Sequence, residues 1–200
     1  IRAAQLGASV ALIEKEQLGG TCLNCGCIPT KALIASSDLF YRMKYSEGMG
    51  VKPGNPGFDF AAMSARKDQV VAKLRGGVGA LLKGNGIKVF EGTGSFAGRN
   101  KVTVKSASGE NVLEAKSVII ATGSESSIPG FLPKSKLIVE SRAFLGLTIL
   151  PESLIVLGGG VIGCEFACLA AQLGVKVTIV EMLEDILMIL DADVRRELRK

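Results

Sequence analysis

Histidine is absent from the 200-residue chain. Its absence excludes, within this chain, any His general base, any His metal ligand and any Ser-His-Asp triad. Tryptophan is also missing, and eight Phe with two Tyr leave few surfaces on which bases could stack. Lys and Arg number 24 against 19 Asp and Glu, yet no block of five or six like charges occurs, so nucleic acid is not the expected partner. Long apolar runs are scarce. The longest weakly charged stretch, 154–175, has 22 residues and one charge and could reach across a bilayer. Its three consecutive glycines would break a spanning helix, and Glu165 would be costly in lipid, so no membrane span is expected. The five cysteines do not spread as a disulfide framework: Cys22, Cys25 and Cys27 cluster, while Cys164 and Cys168 lie far downstream. That spacing argues against a small secreted scaffold.

What is present is ordinary globular composition, 48% hydrophobic and 22% charged, in a length suited to roughly one or two domains. Glycine is the exception. Twenty-five glycines exceed the usual share of about 7% without a collagen period and indicate tight turns or close backbone approaches.

An internal repeat organises the chain. AAQLGASVALIEK at 3–15 resembles AAQLGVKVTIVEM at 170–182 with a constant offset of 167. Each copy reads as a helix end, a glycine stop at Gly7 or Gly174, a β-branched strand and a closing acid, Glu14 or Glu181. Before the second copy stands a short buried strand at 154–157, then Gly158-x-Gly160-x-x-Gly163, then a helix. This is the strand–helix–strand context that a dinucleotide fingerprint requires. Gly158 permits the tight turn, Gly160 lets backbone approach a pyrophosphate, and Gly163 lets helix pack on strand. Amides at the helix start, at Val161 and Ile162, would meet the phosphates. Glu181 is placed to accept both ribose hydroxyls and to repel a 2′-phosphate, which favours NAD over NADP. By the same offset the first copy's glycine loop is expected about nine residues before Ile1, with Ile1 inside the first helix, and the second copy is expected to continue beyond residue 200.

Between the repeats the pattern predicts a helix over 31–44, a Gly/Pro loop and an amphipathic helix over 60–82. Short strands follow, separated by turns at 98–100 and 108–110, and then a buried strand at 117–121. Lys67, Lys73 and Arg75 read as a solvated helix face. Met43, Met49 and Met63 read as core or rim filler, and Asp191, Asp193 and Arg195 as surface charges. The fold class is α/β: two doubly wound, Rossmann-like dinucleotide-binding domains, both incomplete, with an antiparallel excursion in the first and a boundary near Leu150.

The segment LGGTCLNCGCIPTKAL at 18–33 carries the chemistry. Cys22 and Cys27 can face each other across an irregular first helical turn, and Pro29 is tolerated near a helix start. Gly19, Gly20 and Gly26 allow close approach to a flat cofactor. A helix start and nearby Lys31 both favour thiolate. The competing reading is a metal module using Cys-x-x-Cys-x-Cys, with Cys164 or Cys168 as fourth ligand; those two are more simply small apolar residues of a buried helix.

The CLNxGCIPTK motif, the ATG turn and the second glycine loop together resemble the FAD-dependent pyridine nucleotide–disulfide oxidoreductases, over essentially all 200 residues. The resemblance implies two cofactors, FAD and NAD, and no metal. Glu14 would bind the adenosine ribose of FAD, and Gly19, Gly20, Thr21 and Cys22 would line its flavin side. Gly94 would touch the adenine through backbone, and Thr122, Gly123 and Ser124 would sit by the FAD. Cys22 would exchange with a dithiol substrate and Cys27 would contact the flavin. Lys31 would lie near flavin N5 and pair with Glu165 close to the nicotinamide. Residues 1–150 would form an FAD-binding domain lacking its first strand and glycine loop, and residues 151–200 the start of the NAD-binding domain.

The implied reaction is oxidation of protein-bound dihydrolipoamide to lipoamide, with electrons passing through a Cys22–Cys27 disulfide and FAD to NAD. The implied partners are the lipoyl domain of a 2-oxoacid dehydrogenase complex or of the glycine cleavage system, and a second copy in a homodimer. The implied compartment is the bacterial cytoplasm or an organelle matrix. The family also uses an acid–base His backed by a Glu from the partner subunit, so this 200-residue piece alone is expected to be inactive. Glutathione reductase-like and mercuric reductase-like flavoproteins are the alternatives within the family; outside it, the chain could act chiefly as an adaptor docking onto an acyltransferase core. Cys25 departs from the family's usual small apolar residue, either as a size-matched replacement or as a thiol that scrambles the active pair.

Overall fold

The computed structural model describes residues 1–199. In chain order the elements are α1 (Arg2–Gln5), β1 (Ala11–Glu14), α2 (Gly20–Cys25), α3 (Cys27–Tyr45), a 3-10 turn (Ser46–Met49), α4 (Phe60–Gly84), β2 (Lys88–Glu91), β3 (Thr93–Gly98), β4 (Lys101–Ser106), β5 (Gly109–Glu114), α5 (Ser141–Leu145), β6 (Ser153–Leu157), α6 (Val161–Gln172), β7 (Lys176–Val180) and α7 (Ala192–Leu198). Three sheets result: a parallel β1–β2 pair, an antiparallel β3–β4–β5 meander and a parallel β6–β7 pair. The described chain divides into two compact units, residues 1–24 with 71–125, and residues 25–70 with 126–199.

In the first unit β1 runs beside β2 in register Ala11 to Lys88 through Glu14 to Glu91. Gly92 then turns the chain into β3 at φ 144°, where a Cβ would strike the Lys105 carbonyl. Only glycine fits there. The middle strand β4 buries Val102, Thr103 and Val104 in succession, as a strand covered on both faces does. The expected turns at 98–100 and 108–110 fall between β3, β4 and β5. Arg75, expected in solvent, instead donates from Nε to Asn24 Oδ1 at 2.9 Å. The Asn24 amide reaches the carbonyls of Leu18 and Gly20, both at 3.0 Å, so one side chain staples the loop that opens α2.

The second unit holds an apolar core of Leu33, Phe60, Phe144, Leu145, Phe166, Leu169 and Leu173, with Phe144 and Phe166 stacked at 4.4 Å between centroids. Helix α3 starts four residues earlier than its pattern suggests, because Gly26 allows a fresh helix to begin at Cys27. Its buried Ser37 lies 2.6 Å from Gln172 Oε1 of α6. Lys67 is a correction to the solvated-face reading. Its side chain is buried, and the ammonium donates to the Leu145 carbonyl at 2.6 Å while pairing with Asp68 at 3.0 Å. A buried cation is tolerable only with such partners, and this one also serves the carbonyl end of α5. Glu140 caps the opposite end by accepting from the amides of Arg142 and Ala143.

Three further expectations fail. Residues 117–121 form no strand, and Ile119 and Ile120 are exposed; an extended apolar run is buried only where neighbours supply a ladder, and no described strand pairs with it. Met49 is exposed rather than filler, although Met63 does pack on the core. Arg195 is paired with Asp185 at 2.8 Å instead of being a free surface charge, because the turn after β7 folds back toward α7. No helix among the described residues is long and apolar enough to cross a membrane.

Candidate functional site

The second glycine loop is built by β6, α6 and β7. The two strands pair in parallel register from Ser153–Lys176 to Leu157–Val180, and the Gly158 amide extends that ladder to the Val180 carbonyl at 2.8 Å. Gly158 has φ 105°, a conformation that a side chain disfavours. A Cβ on Gly163 would collide with the Gly158 carbonyl and press on Val156, so glycine there lets α6 lie against β6. Gly160 is the N-cap of α6 and no side chain caps it. Space around its α-carbon is open, and Val161 and Ile162 are exposed in the first turn. Backbone donors without a side-chain cap at the start of a twelve-residue helix suit an anion.

Glu181 follows β7 directly. It accepts from the Leu183 amide at 2.9 Å and the Gly159 amide at 2.5 Å. These two hydrogen bonds, Leu183 first, hold the carboxyl below its ordinary range, so it is an anion at neutral pH. Gly159 escaped sequence reading because it occupies a variable position of G-x-G-x-x-G. The structure gives it several tasks: besides its amide, its carbonyl accepts from Leu187 at 2.8 Å and from the Cys164 thiol at 3.4 Å. A Cβ there would meet Ile186 at 2.7 Å and Glu181 at 3.2 Å. The signal was its place in the middle of three consecutive glycines, 158–160. Burial pushes the Cys164 thiol up, with Cys168 and Glu181 adding to the effect, which leaves it unreactive. Cys168, also read as buried, is exposed.

Lys31 and Glu165 meet as expected. Their Nζ and Oε1 stand 2.5 Å apart, with side chains 56% and 25% exposed. The pair joins α3, one turn beyond Cys27, to the first turns of α6. Pro29 and Thr30, between the cysteine and the lysine, are buried, and Thr30 Oγ1 ties α3 to the Gly26 carbonyl at 2.7 Å.

The remaining residues occupy separate places. Glu14 closes β1 and accepts from the Glu16 amide at 2.9 Å. Gly19 and Gly20 both have positive φ, and a Cβ at Gly19 would strike Leu23. Thr21 and Cys22 are exposed on α2, and Cys27 is exposed at the start of α3. Gly94 on β3 has Ile13 and Val102 side chains 3.4–3.7 Å from where a Cβ would stand. Thr122, Gly123 and Ser124 lie in an exposed segment without regular structure. Among the described residues no three His, Cys, Asp or Glu side chains are grouped to hold a metal ion.

A strand, glycine turn, helix and second strand followed by an acid are the elements of a dinucleotide-binding fold, and a cysteine-rich turn precedes the ion-paired lysine. The chain belongs to the pyridine nucleotide-disulphide oxidoreductase family, whose model matches residues 1–200. It is 46% identical to a dihydrolipoyl dehydrogenase of Acholeplasma laidlawii over 98% of this chain and 59% of that protein. It is 42% identical to a dihydrolipoyl dehydrogenase of Bacillus subtilis over 98% of this chain and 43% of that protein. The fold matches a solved flavoprotein disulfide reductase, RclA of Escherichia coli, with a TM-score of 0.81 at 31% identity over 99% of this chain and 42% of that one. The chain thus spans about half the length of the curated relatives it matches.

Proposed function

We propose that the protein is a flavin-dependent dithiol oxidoreductase of the dihydrolipoyl dehydrogenase type, oxidising protein-bound dihydrolipoamide with NAD as final acceptor. The observation that carries the reading is the Lys31–Glu165 pair, which joins the helix begun by Cys27 to the helix of the second glycine loop. The relatives' names support the substrate class.

The residues fit both cofactors. The open backbone at Gly160, the uncapped start of α6 and the carboxylate of Glu181 would hold NAD. Glu14, Gly19, Gly20, Thr21, Gly94 and the turn at Thr122, Gly123 and Ser124 would hold FAD, residues 1–150 forming its domain and 151–200 the start of the NAD domain. When bound, FAD supplies two-electron transfer between thiols and nicotinamide. Cys22, exposed on α2, takes the attack of a substrate thiolate. The Cys22–Cys27 bond breaks, Cys27 leaves as thiolate, and the second substrate thiol closes lipoamide and frees Cys22. Two protons leave the substrate dithiol. These 200 residues hold no histidine; the acid–base group that moves the protons is the His, backed by a Glu, that the resemblance implies for the C-terminal domain of the partner subunit in a homodimer of the whole protein. Lys31 holds positive charge beside the thiolate helix, and Glu165 fixes its ammonium. The lipoyl domain of a 2-oxoacid dehydrogenase complex or of the glycine cleavage system is the macromolecular partner, in the bacterial cytoplasm or an organelle matrix. The anionic Glu181 disfavours NADPH and hence a glutathione reductase-like role.

The test is made on the whole protein. Stoichiometric flavin and NAD reduction driven by dihydrolipoamide are expected, both Cys22→Ser and Cys27→Ser abolishing turnover while flavin stays bound. Thiols that hold stoichiometric zinc in a flavin-free protein would overturn the reading.

A further inference from the structure

Cys25 has no task in the chemistry above, yet it stands between the two cysteines that do. Helix α2 covers Gly20–Cys25 and therefore carries Cys22 and Cys25 one turn apart. Helical rise and radius put residues at i and i+3 about 5 Å apart at Cα. That lies inside the roughly 4.4–6.8 Å that a disulfide spans. Residues five apart in an unbroken helix stand about 9 Å apart and on nearly opposite sides, beyond what a disulfide bridges. The Cys22–Cys27 bond therefore depends on the helix ending at Cys25 and restarting at Cys27 around Gly26, whose φ is −136° and ψ −118°. The third thiol obeys regular helix geometry and the functional one does not.

We propose that Cys25 is a second resolving thiol for Cys22, so that the oxidised protein exists as two interconverting disulfides, Cys22–Cys27 and Cys22–Cys25. This rests on the reading of Cys22 and Cys27 as the redox pair. The step is an internal thiol–disulfide exchange. Cys25 loses its proton to solvent and attacks Cys22 Sγ; the Cys22–Cys25 bond forms, the Cys22–Cys27 bond breaks, and Cys27 leaves as a thiolate. No electrons enter or leave, so no outside oxidant is required. Cys22 is exposed and Cys25 half-buried, which leaves the first open to substrate and the second close at hand but screened. In the Cys22–Cys25 form Cys27 is a thiol or thiolate without any substrate having been oxidised. The protein thereby gains a resting state off the catalytic path.

The three sulfurs share one tryptic peptide, 16–31, and this makes the exchange directly readable. Whole oxidised protein is quenched in acid, its remaining thiol is tagged, and the position of the tag within that peptide is read by fragmentation. A tag on Cys25 reports Cys22–Cys27; a tag on Cys27 reports Cys22–Cys25. The expected result is both tags, with their ratio returning to one value after dilution from a reducing or an oxidising thiol buffer. In Cys25→Val the tag on Cys27 disappears from oxidised protein. A tag confined to Cys25, or one on Cys22 reporting Cys25–Cys27, overturns the proposal. The map needs neither flavin nor turnover. A flavin-free protein with both tags would sink the proposed function and leave the exchange standing, whereas an active flavoprotein tagged only at Cys25 would do the reverse.

Discussion

The pentapeptide AAQLG occurs twice, at 3–7 and at 170–174, and the two copies share a backbone but not a role. Gly7 and Gly174 take φ of 90° and 88°. In each, the glycine amide bonds three residues back, to Ala4 at 2.9 Å and Ala171 at 3.0 Å, and the next amide bonds five back, to Ala3 at 3.0 Å and Ala170 at 3.1 Å. Downstream, Glu14 and Glu181 each accept the amide two residues on, at 2.9 Å. Burial divides them. Leu6 is 71% exposed and Leu173 only 6%, and α6 packs five of its twelve residues inward. Turn and cap geometry is thus a property of the five residues, and packing is a property of what surrounds them.

The sharpest way to break this comparison is truncation at the shared leucine. In this 200-residue chain Leu173→Ala should cost about 2–5 kcal/mol as a core cavity, while Leu6→Ala should change stability by no more than about 0.5 kcal/mol. Denaturant midpoints measure both, and equal losses would refute the division. Next in size is Gly163→Ala, whose added methyl meets the Gly158 carbonyl and Val156; about 1–3 kcal/mol of overpacking strain is expected, together with weaker NAD binding by calorimetry. Gly7→Ala and Gly174→Ala should then behave alike, each losing about 1–2 kcal/mol from the left-handed backbone. A large difference between them would show that context reaches into the turn. The smallest effect concerns Glu181. Its folded carboxyl titrates below the ordinary value because of the Leu183 and Gly159 amides. The stabilisation is therefore present above the unfolded glutamate pKa and fades as pH falls through the folded one. Glu181→Gln should flatten the acid limb of a stability–pH curve, and an unchanged limb would remove the assignment.

Much of the fold was legible because its signals are local. The G-x-G-x-x-G turn, the acid that ends β1 at Glu14, the acid that follows β7 at Glu181 and the hairpin turns each depend on a few neighbouring residues, and all lie where the pattern put them. Lys31 and Glu165 were found through resemblance, since nothing in either segment names a partner 134 positions away. Charge pattern misled at Lys67 and Arg75, which sit on an otherwise solvated helix but meet a carbonyl and an amide oxygen that only tertiary structure brings near. Apolar composition misled at 117–121, because hydrophobicity states that a segment can be covered and not that a neighbour does so. Gly159 was hidden by its motif, which specifies its neighbours and leaves it variable.

The single residue between β2 and β3 makes one extended run serve two ladders of opposite sense. Because strand faces alternate residue by residue, the count of atoms through Gly92 works like a gear. Inserting one amino acid there would rotate every later position of β3 by a half-turn, presenting Thr93 instead of Gly94 to Ile13. This joint should therefore tolerate neither gain nor loss of a residue, while the hairpin loops on either side of β4 absorb length changes freely.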